Sequence, residues 1–326
     1  MRSPLAQRSS GSIWNWRQLS PLLIPAALMG ILAVIEPRFL TSANLMNILL
    51  QASPLALAAM GQAVVIISGE LDLSQGSAAA LAGVIAVLLA IETDSVAVGW
   101  IAILVVSVIL GAVNGFLVTQ LRIPSFVATV GMLTYADGMA YLVTGGLPVD
   151  FPPDGYSWLG RGYIGSIPVS VLFVAVVAVA MHIFASRTRA GRALYLIGDN
   201  ANAAVIVGIR PSRYRFYAFL LAGLLTGSAA LILTGRIDSA PPTLSATLPF
   251  EAIAAVAIGG IAMTGGEGAV WRAVAGVAPI AILVNGLNLL GVNTYIQLIL
   301  IGAITIAVVA LQNVQQPIWF RWRVFS

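Results

Sequence analysis

Runs of about 20 apolar residues recur from end to end of this 326-residue chain, each long enough to cross a hydrocarbon core roughly 30 Å thick. A backbone in lipid has to satisfy its own hydrogen bonds, so runs of this length fold as helices. Hydrophobic residues make up 59% of the sequence and charged residues only 9%, against roughly a quarter in an ordinary soluble domain. A soluble fold could not solvate such a surface. The expected fold class is an all-α polytopic membrane protein with about ten transmembrane helices.

Hydropathy places the spans near 20–36, 44–69, 74–92, 96–120, 124–145, 166–186, 212–235, 249–264, 270–290 and 293–312. The arginines test the count, because short cytoplasmic loops collect basic residues. With ten spans and both termini in the cytoplasm, Arg2, Arg8, Arg17, Arg122, Arg187, Arg189, Arg192, Arg210, Arg213, Arg215, Arg272, Arg321 and Arg323 lie inside, and only Arg38, Arg161 and Arg236 outside. An odd count would put the two arginine-bearing tails on opposite faces. The chain then divides into a cytoplasmic tail (1–19), a transmembrane domain (20–312) and a second cytoplasmic tail (313–326). The N-terminal tail lacks the compact apolar core and small-residue cleavage site of a signal peptide. Residues 186–212 form the longest cytoplasmic connection, with an apolar stripe that suits a short helix along the membrane surface, whether as a mere anchor or as a docking element. The outer loop 146–165, rich in Gly, Pro and aromatics, suits a structured cap at the water interface.

Two pairs of segments echo each other. Ile67-Ser68-Gly69-Glu70-Leu71-Asp72 parallels Leu233-Thr234-Gly235-Arg236-Ile237-Asp238. Val113-Asn114-Gly115 with Ile123–Val127 parallels Val284-Asn285-Gly286 with Val292–Ile296. The offset is five spans, an odd number, so the halves would be two inverted five-helix repeats, an arrangement that many transporters use to open to either side.

Charged and amide groups inside such a chain are the candidate site. Asp72 followed three residues later by Gln75 reads as a capping box at the start of the third span; alternatively the loop that carries Asp72 and Ser74 lines a solute path, where broken helices are tolerated. Glu70 has no capping role in this register and is expected to be exposed at the inner interface. Asp137 falls inside the fifth span, where an acid costs roughly 2.5 to 3.5 kcal/mol. Either that span breaks near Gly138 or Asp137 lies in the path. Asn114, Asn285 and Asn288 are candidates for helix-joining hydrogen bonds or for contact with a hydroxyl-rich solute. His182 is read as an interfacial residue.

Several chemistries are excluded. There is no cysteine and a single histidine, which removes thiolate and paired-histidine metal sites. No GxxxxGK[ST] loop occurs and the chain contains no lysine, so it is not its own Walker-type ATPase. The glycines of GGIAMTGGEG (259–268) suit close packing and a tight turn. Nothing points to a cofactor or to nucleic acid, and the positive charge is explained by topology.

GELDLSQGSAAALAG resembles the GGIDLSVGS-type segment of permease subunits from bacterial ABC importers of the ribose, xylose and related sugar family. FEAIAAVAIGGIAMTGGEG, NGLNLLGVNTYIQ and AGRALYLIGDNANAAVIVGI are similar to further segments of that family, in the same order over nearly the whole chain. The resemblance implies a permease subunit of the inner (plasma) membrane, not an enzyme. Its partners would be membrane lipid, a cytoplasmic ABC ATPase, a periplasmic sugar-binding protein and a second permease copy or paralogue. Gly198, Asn200, Ala203, Ala204 and Gly208 fall in the segment expected to dock on the ATPase. Asp72, Leu73 and Ser74 match the family's Asp-Leu-Ser, whereas Glu70 stands where the family commonly has Gly and Asp137 where many members have Arg. The competing readings are an ion-coupled secondary transporter, which shares inverted repeats, a branched-chain amino-acid permease, and a membrane enzyme, for which no GxSxG elbow is present.

Overall fold

The computed structural model describes residues 16–314. The basic residues of the two tails at positions 2, 8, 321 and 323 lie outside the described residues. In chain order the elements are α1 (Trp16–Ile35), a 3-10 turn (Pro37–Leu40), α2 (Ser42–Ile67), α3 (Gln75–Thr93), α4 (Val96–Thr119), α5 (Ser125–Thr144), β1 (Val149–Asp150), α6 (Trp158–Arg161), β2 (Tyr163–Ile164), β3 (Ile167–Pro168), α7 (Val169–Arg187), α8 (Arg189–Asp199), α9 (Ala201–Ile206), α10 (Pro211–Ile237), β4 (Ser239–Ala240), α11 (Leu248–Ile258), α12 (Val270–Leu289) and α13 (Thr294–Val314). Among the described residues the regular structure is therefore helical apart from two short antiparallel pairs, β1 with β4 and β2 with β3, a small correction to the all-α expectation. The pairs belong to the connections flanking α6 and following α10, so the segment expected to form a cap is ordered.

Among the described residues, seven helices are long and apolar enough to cross a membrane: α2, α3, α4, α5, α7, α10 and α12. Shorter apolar stretches are Pro25–Ile35, Leu248–Ile258 and Thr294–Ala307. Local chemistry sets the boundaries. Thr41 caps α2 by accepting from Asn44 N at 3.4 Å, Pro211 starts α10 where a missing N–H costs nothing, and Gly145 in the left-handed region ends α5. The eighth sequence range shrinks, because Gly259 and Gly260 stop α11 at Ile258 and Gly260 takes φ 75°.

The most apolar window of α2 is 89% buried, against 28% for α4, α5 and α7. The central helix α2 is thus surrounded by protein while the other three present a face outward. Helix α4 packs against α10 through small residues. A Cβ on Gly111 or Gly223 would collide with the backbone of the facing helix, so glycine lets the two backbones approach as small-residue stripes do in membranes.

Two connections do not simply turn at the membrane surface. The amide of Gln75, first residue of α3, donates to Ala58 O at 3.4 Å, and Gly61 on the same face of α2 meets Ala222 of α10. Ala222 stands eleven residues into the 27-residue helix α10, roughly 16 Å from its start at 1.5 Å per residue. Helix α3 therefore begins near the mid-depth of α2 and α10, and residues 68–74 climb back from the end of α2 to reach it. From the opposite end, residues 238–247 descend past Gly83 of α3, whose neighbours include Thr234, Ala240 and Leu244. They arrive at the same level, where Ser245 Oγ donates to Gly76 O at 2.9 Å and Pro249 abuts Gly76. Helices α3 and α11 thus meet N-terminus to N-terminus in the interior. Helix α11 then runs to the end that holds α8 and α9, where Gly259 packs on Arg272; this end is called the basic end below, and the other the β end.

Candidate functional site

The mid-depth junction gathers polar side chains that the helical spacing alone would scatter. Asp72 is 3% exposed. Its Oδ1 accepts from Ser74 N at 2.9 Å and from Ser74 Oγ at 2.7 Å. Asn114 on α4 donates to the same Ser74 Oγ at 2.8 Å. Leu71 N donates to Ser125 Oγ at 3.1 Å and Leu71 O accepts from Thr129 Oγ1 at 3.4 Å, so α5 holds the climbing loop from the other side. Sequence candidates Asp72, Ser74 and Asn114 thus form one buried chain. The capping box does not form: Ser74, not Asp72, precedes the helix, and Gln75 turns away to Ala58. Asp72 instead closes a turn onto the amide two residues ahead.

The other candidates are dispersed. Asn285 exchanges two amide hydrogen bonds with Asn44 of α2, at 2.9 and 3.0 Å, and Asn44 also donates to Phe39 O. Asn288 Oδ1 accepts from Gln297 of α13 at 2.9 Å. Both asparagines join helices. Asp137 lies half-buried on α5, which runs unbroken from Ser125 to Thr144. The alternative of an interrupted fifth span is therefore excluded.

At the basic end Glu70 is not exposed as expected but forms an ion pair with Arg215 at 3.0 Å, their side chains 12% and 27% exposed. Arg215 Nε also donates to Ser68 O at 3.2 Å. Beside this pair, Gly266 N donates to Ile67 O at 3.0 Å, and Gly198 of α8 fits so closely that a Cβ would overlap Ile67 O. Glycines from three segments, Gly69, Gly198 and Gly265, meet here. Of the remaining coupling candidates, Asn200 caps α9 by accepting from Ala203 N at 3.0 Å. Ala204 is buried in a small core with Ala193 and Ile197. Gly208 turns the chain with φ 82°.

The β end is fastened too. Tyr156 shares a hydrogen bond with Thr234 at 3.2 Å, and burial pushes its phenol up to about 12. Asp238 accepts from Ser157 and pairs with Arg161 at 3.4 Å.

Sequence reasoning misses four participants. Arg215 reads along the chain only as topology, and its partner Glu70 lies on a remote segment. Gln62, fully buried on α2 with neither amide atom hydrogen-bonded to protein, stands in plain view within AAMGQAVVI. Asn44 carries no signal beyond helix capping. Glu251, in the first turn of α11, is visible as an acid opening an apolar run.

The family model described as "Branched-chain amino acid transport system / permease component" matches residues 44–309. The chain is 34% identical over 308 residues to the ribose import permease protein RbsC of Escherichia coli (strain K12), covering 93% of this chain and 95% of that one. It is 34% identical to the ribose import permease protein RbsC of Bacillus subtilis (strain 168), covering 91% and 93%. To the D-allose transport system permease protein AlsC of Escherichia coli (strain K12) it is 33% identical over 301 residues, covering 91% and 92%.

Proposed function

The chain belongs to the branched-chain amino acid transport system / permease component family, and we propose that it is the membrane permease subunit of an ATP-driven ABC importer for a monosaccharide or a related polar solute. The likeness to ribose and allose permeases supports the solute class. The observation that carries the mechanism is the mid-depth junction of α3 and α11. Two chain segments come in from opposite ends and leave non-helical backbone at membrane depth, which is stable only inside protein or beside a water-filled cavity. A solute held between these two segments would be reached alternately from either side.

In this reading ten helices cross the bilayer: the seven long ones together with α1, α11 and α13, which coincide with the remaining sequence ranges. The two halves are inverted repeats, α2 with its climbing loop and α3 corresponding to α10 with its descending loop and α11. The basic end faces the cytoplasm, as do both termini. There α8 and α9 receive a separate ATPase subunit, and a push on α8 passes through Gly198 to Ile67 and the loop that holds Asp72. A periplasmic sugar-binding protein delivers solute to the β end, and a second permease copy or paralogue completes the path. Asp72, Ser74, Asn114, Asp137, Asn285 and Asn288 retain a part in it chiefly by shaping the helices that bound it.

The test is uptake of D-ribose into proteoliposomes containing the permease, its ATPase and a binding protein. Uptake should require ATP and both partners. Uptake that survives removal of the ATPase, or that follows a proton gradient, would overturn the mechanism in favour of ion coupling. Uptake of leucine in place of ribose would move the solute class to the branched-chain amino acids.

A further inference from the structure

The descending connection has two faces. Pro242, Leu248, Pro249 and Ala252 are buried against the bundle, whereas Thr243, Ala246 and Phe250 are exposed and Thr247 and Glu251 lie partly buried at the edge of that exposed side. The exposed residues follow one another along one side of the turns that lead into α11. This strip stands at the level of Gly76, near the mid-depth of the bundle, because Ser245 and Pro249 touch that residue.

Three environments compete for an exposed strip at that depth. Lipid is the worst. Residues 241–247 are not helical, and irregular backbone is not tolerated against hydrocarbon. A carboxylate facing lipid at the bilayer centre is costly as well. A protein partner would leave Glu251 seeking a base, and every arginine among the described residues lies in a connection or in the first or last turns of a helix. In a symmetric copy the facing residues would be the same, bringing acid against acid. Water remains.

We infer that Thr243, Ala246, Thr247, Phe250 and Glu251 line the solute path, and that Glu251 is its recognition carboxylate for a neutral polyhydroxylated solute. This rests on the permease reading above and names the contacts that reading leaves open. The Glu251 carboxyl oxygens accept hydrogen bonds from adjacent hydroxyls, the threonine hydroxyls can donate or accept, and the exposed Phe250 ring offers an apolar face to a sugar's C–H surface. Glu251 also occupies the first turn of α11, where the helix would otherwise favour an anion. The strip therefore admits uncharged polyols and disfavours acidic or phosphorylated sugars.

The absence of cysteine makes the test direct. Single variants A246C and T243C, with V176C on the exposed face of α7 as a lipid-facing control, are reconstituted and treated with a cationic and an anionic methanethiosulfonate and with a lipid-soluble maleimide. Ala246→Cys should react with the cationic reagent at least tenfold faster than Val176→Cys, and severalfold faster than with the anionic one; adding E251Q should abolish that charge preference. Reaction with the maleimide alone would place the strip in lipid, and no reaction with any reagent would place it under another chain; either result overturns the inference. In the transport assay E251A should raise the KM for D-ribose at least tenfold, with E251Q intermediate, and an unchanged KM would remove Glu251 from recognition. If the wild type takes up no ribose while Ala246→Cys still labels from water, the solute class fails and the lining stands. If ribose is taken up and Ala246→Cys is silent, the lining alone fails.

Discussion

Breaking the Glu70–Arg215 pair should cost different amounts according to which partner is removed. The two side chains are 12% and 27% exposed, between an exposed pair, worth about 0 to 1 kcal/mol, and a buried one, whose rupture costs about 3 to 5 kcal/mol. Glu70→Gln removes the charge and leaves Arg215 its bond to Ser68 O, so a loss of about 1 to 2 kcal/mol is expected. Arg215→Ala removes both the pair and the charge-assisted bond to Ser68 O at 3.2 Å, the latter worth about 1.5 to 3 kcal/mol, and should lose about 2.5 to 5 kcal/mol in all. The double variant should cost less than the sum, by about 1 to 2 kcal/mol of coupling. Equilibrium unfolding of the four proteins in mixed micelles measures the cycle. Equal losses for the two single variants with an additive double would refute the argument, since the pair would then hold nothing that either partner lacks alone.

Asn285→Ala leaves the Asn44 amide buried with only its bond to Phe39 O, and should destabilise by about 1 to 2 kcal/mol in the same unfolding assay. The N44L/N285L double variant should recover part of that loss, because no side-chain amide is stranded and only Phe39 O loses its donor. Gly198→Ala places a Cβ against Ile67 O; an overpacked contact of this kind costs about 1 to 3 kcal/mol, and it should uncouple ATP hydrolysis from uptake in the reconstituted importer, read as hydrolysis that no longer rises when loaded binding protein is added.

The crossing helices are legible in the sequence because their cause is local. A run such as the one in α4 is apolar all round, and no tertiary contact is needed to make it a helix in lipid. The uneven distribution of arginines, the glycine-rich turn at 259–268 and the family-like segments are likewise readable along the chain. The misreadings share a different cause. Gln75 completes a good capping box on paper, yet Ala58 O, seventeen residues back on another helix, competes for its amide. Glu70 looks solvated along the chain because its counter-ion sits on α10. Asn285 and Asn288, by contrast, read as helix-joining amides along the chain, and only their partners, on α2 and α13, lie beyond its reach.

Depth in the membrane divides what residue order settles from what the fold decides. Residue order by itself determined that this chain is a polytopic membrane protein, where its long apolar runs lie, and which family it belongs to, since hydrophobic length and motif order are properties of contiguous residues. Nothing in residues 238–247 announces how far they sink. That was decided by Ser245 reaching Gly76 and by Gln75 reaching Ala58, because a connection between spans lies at whatever level its packing partners hold it, and those partners are remote in the chain.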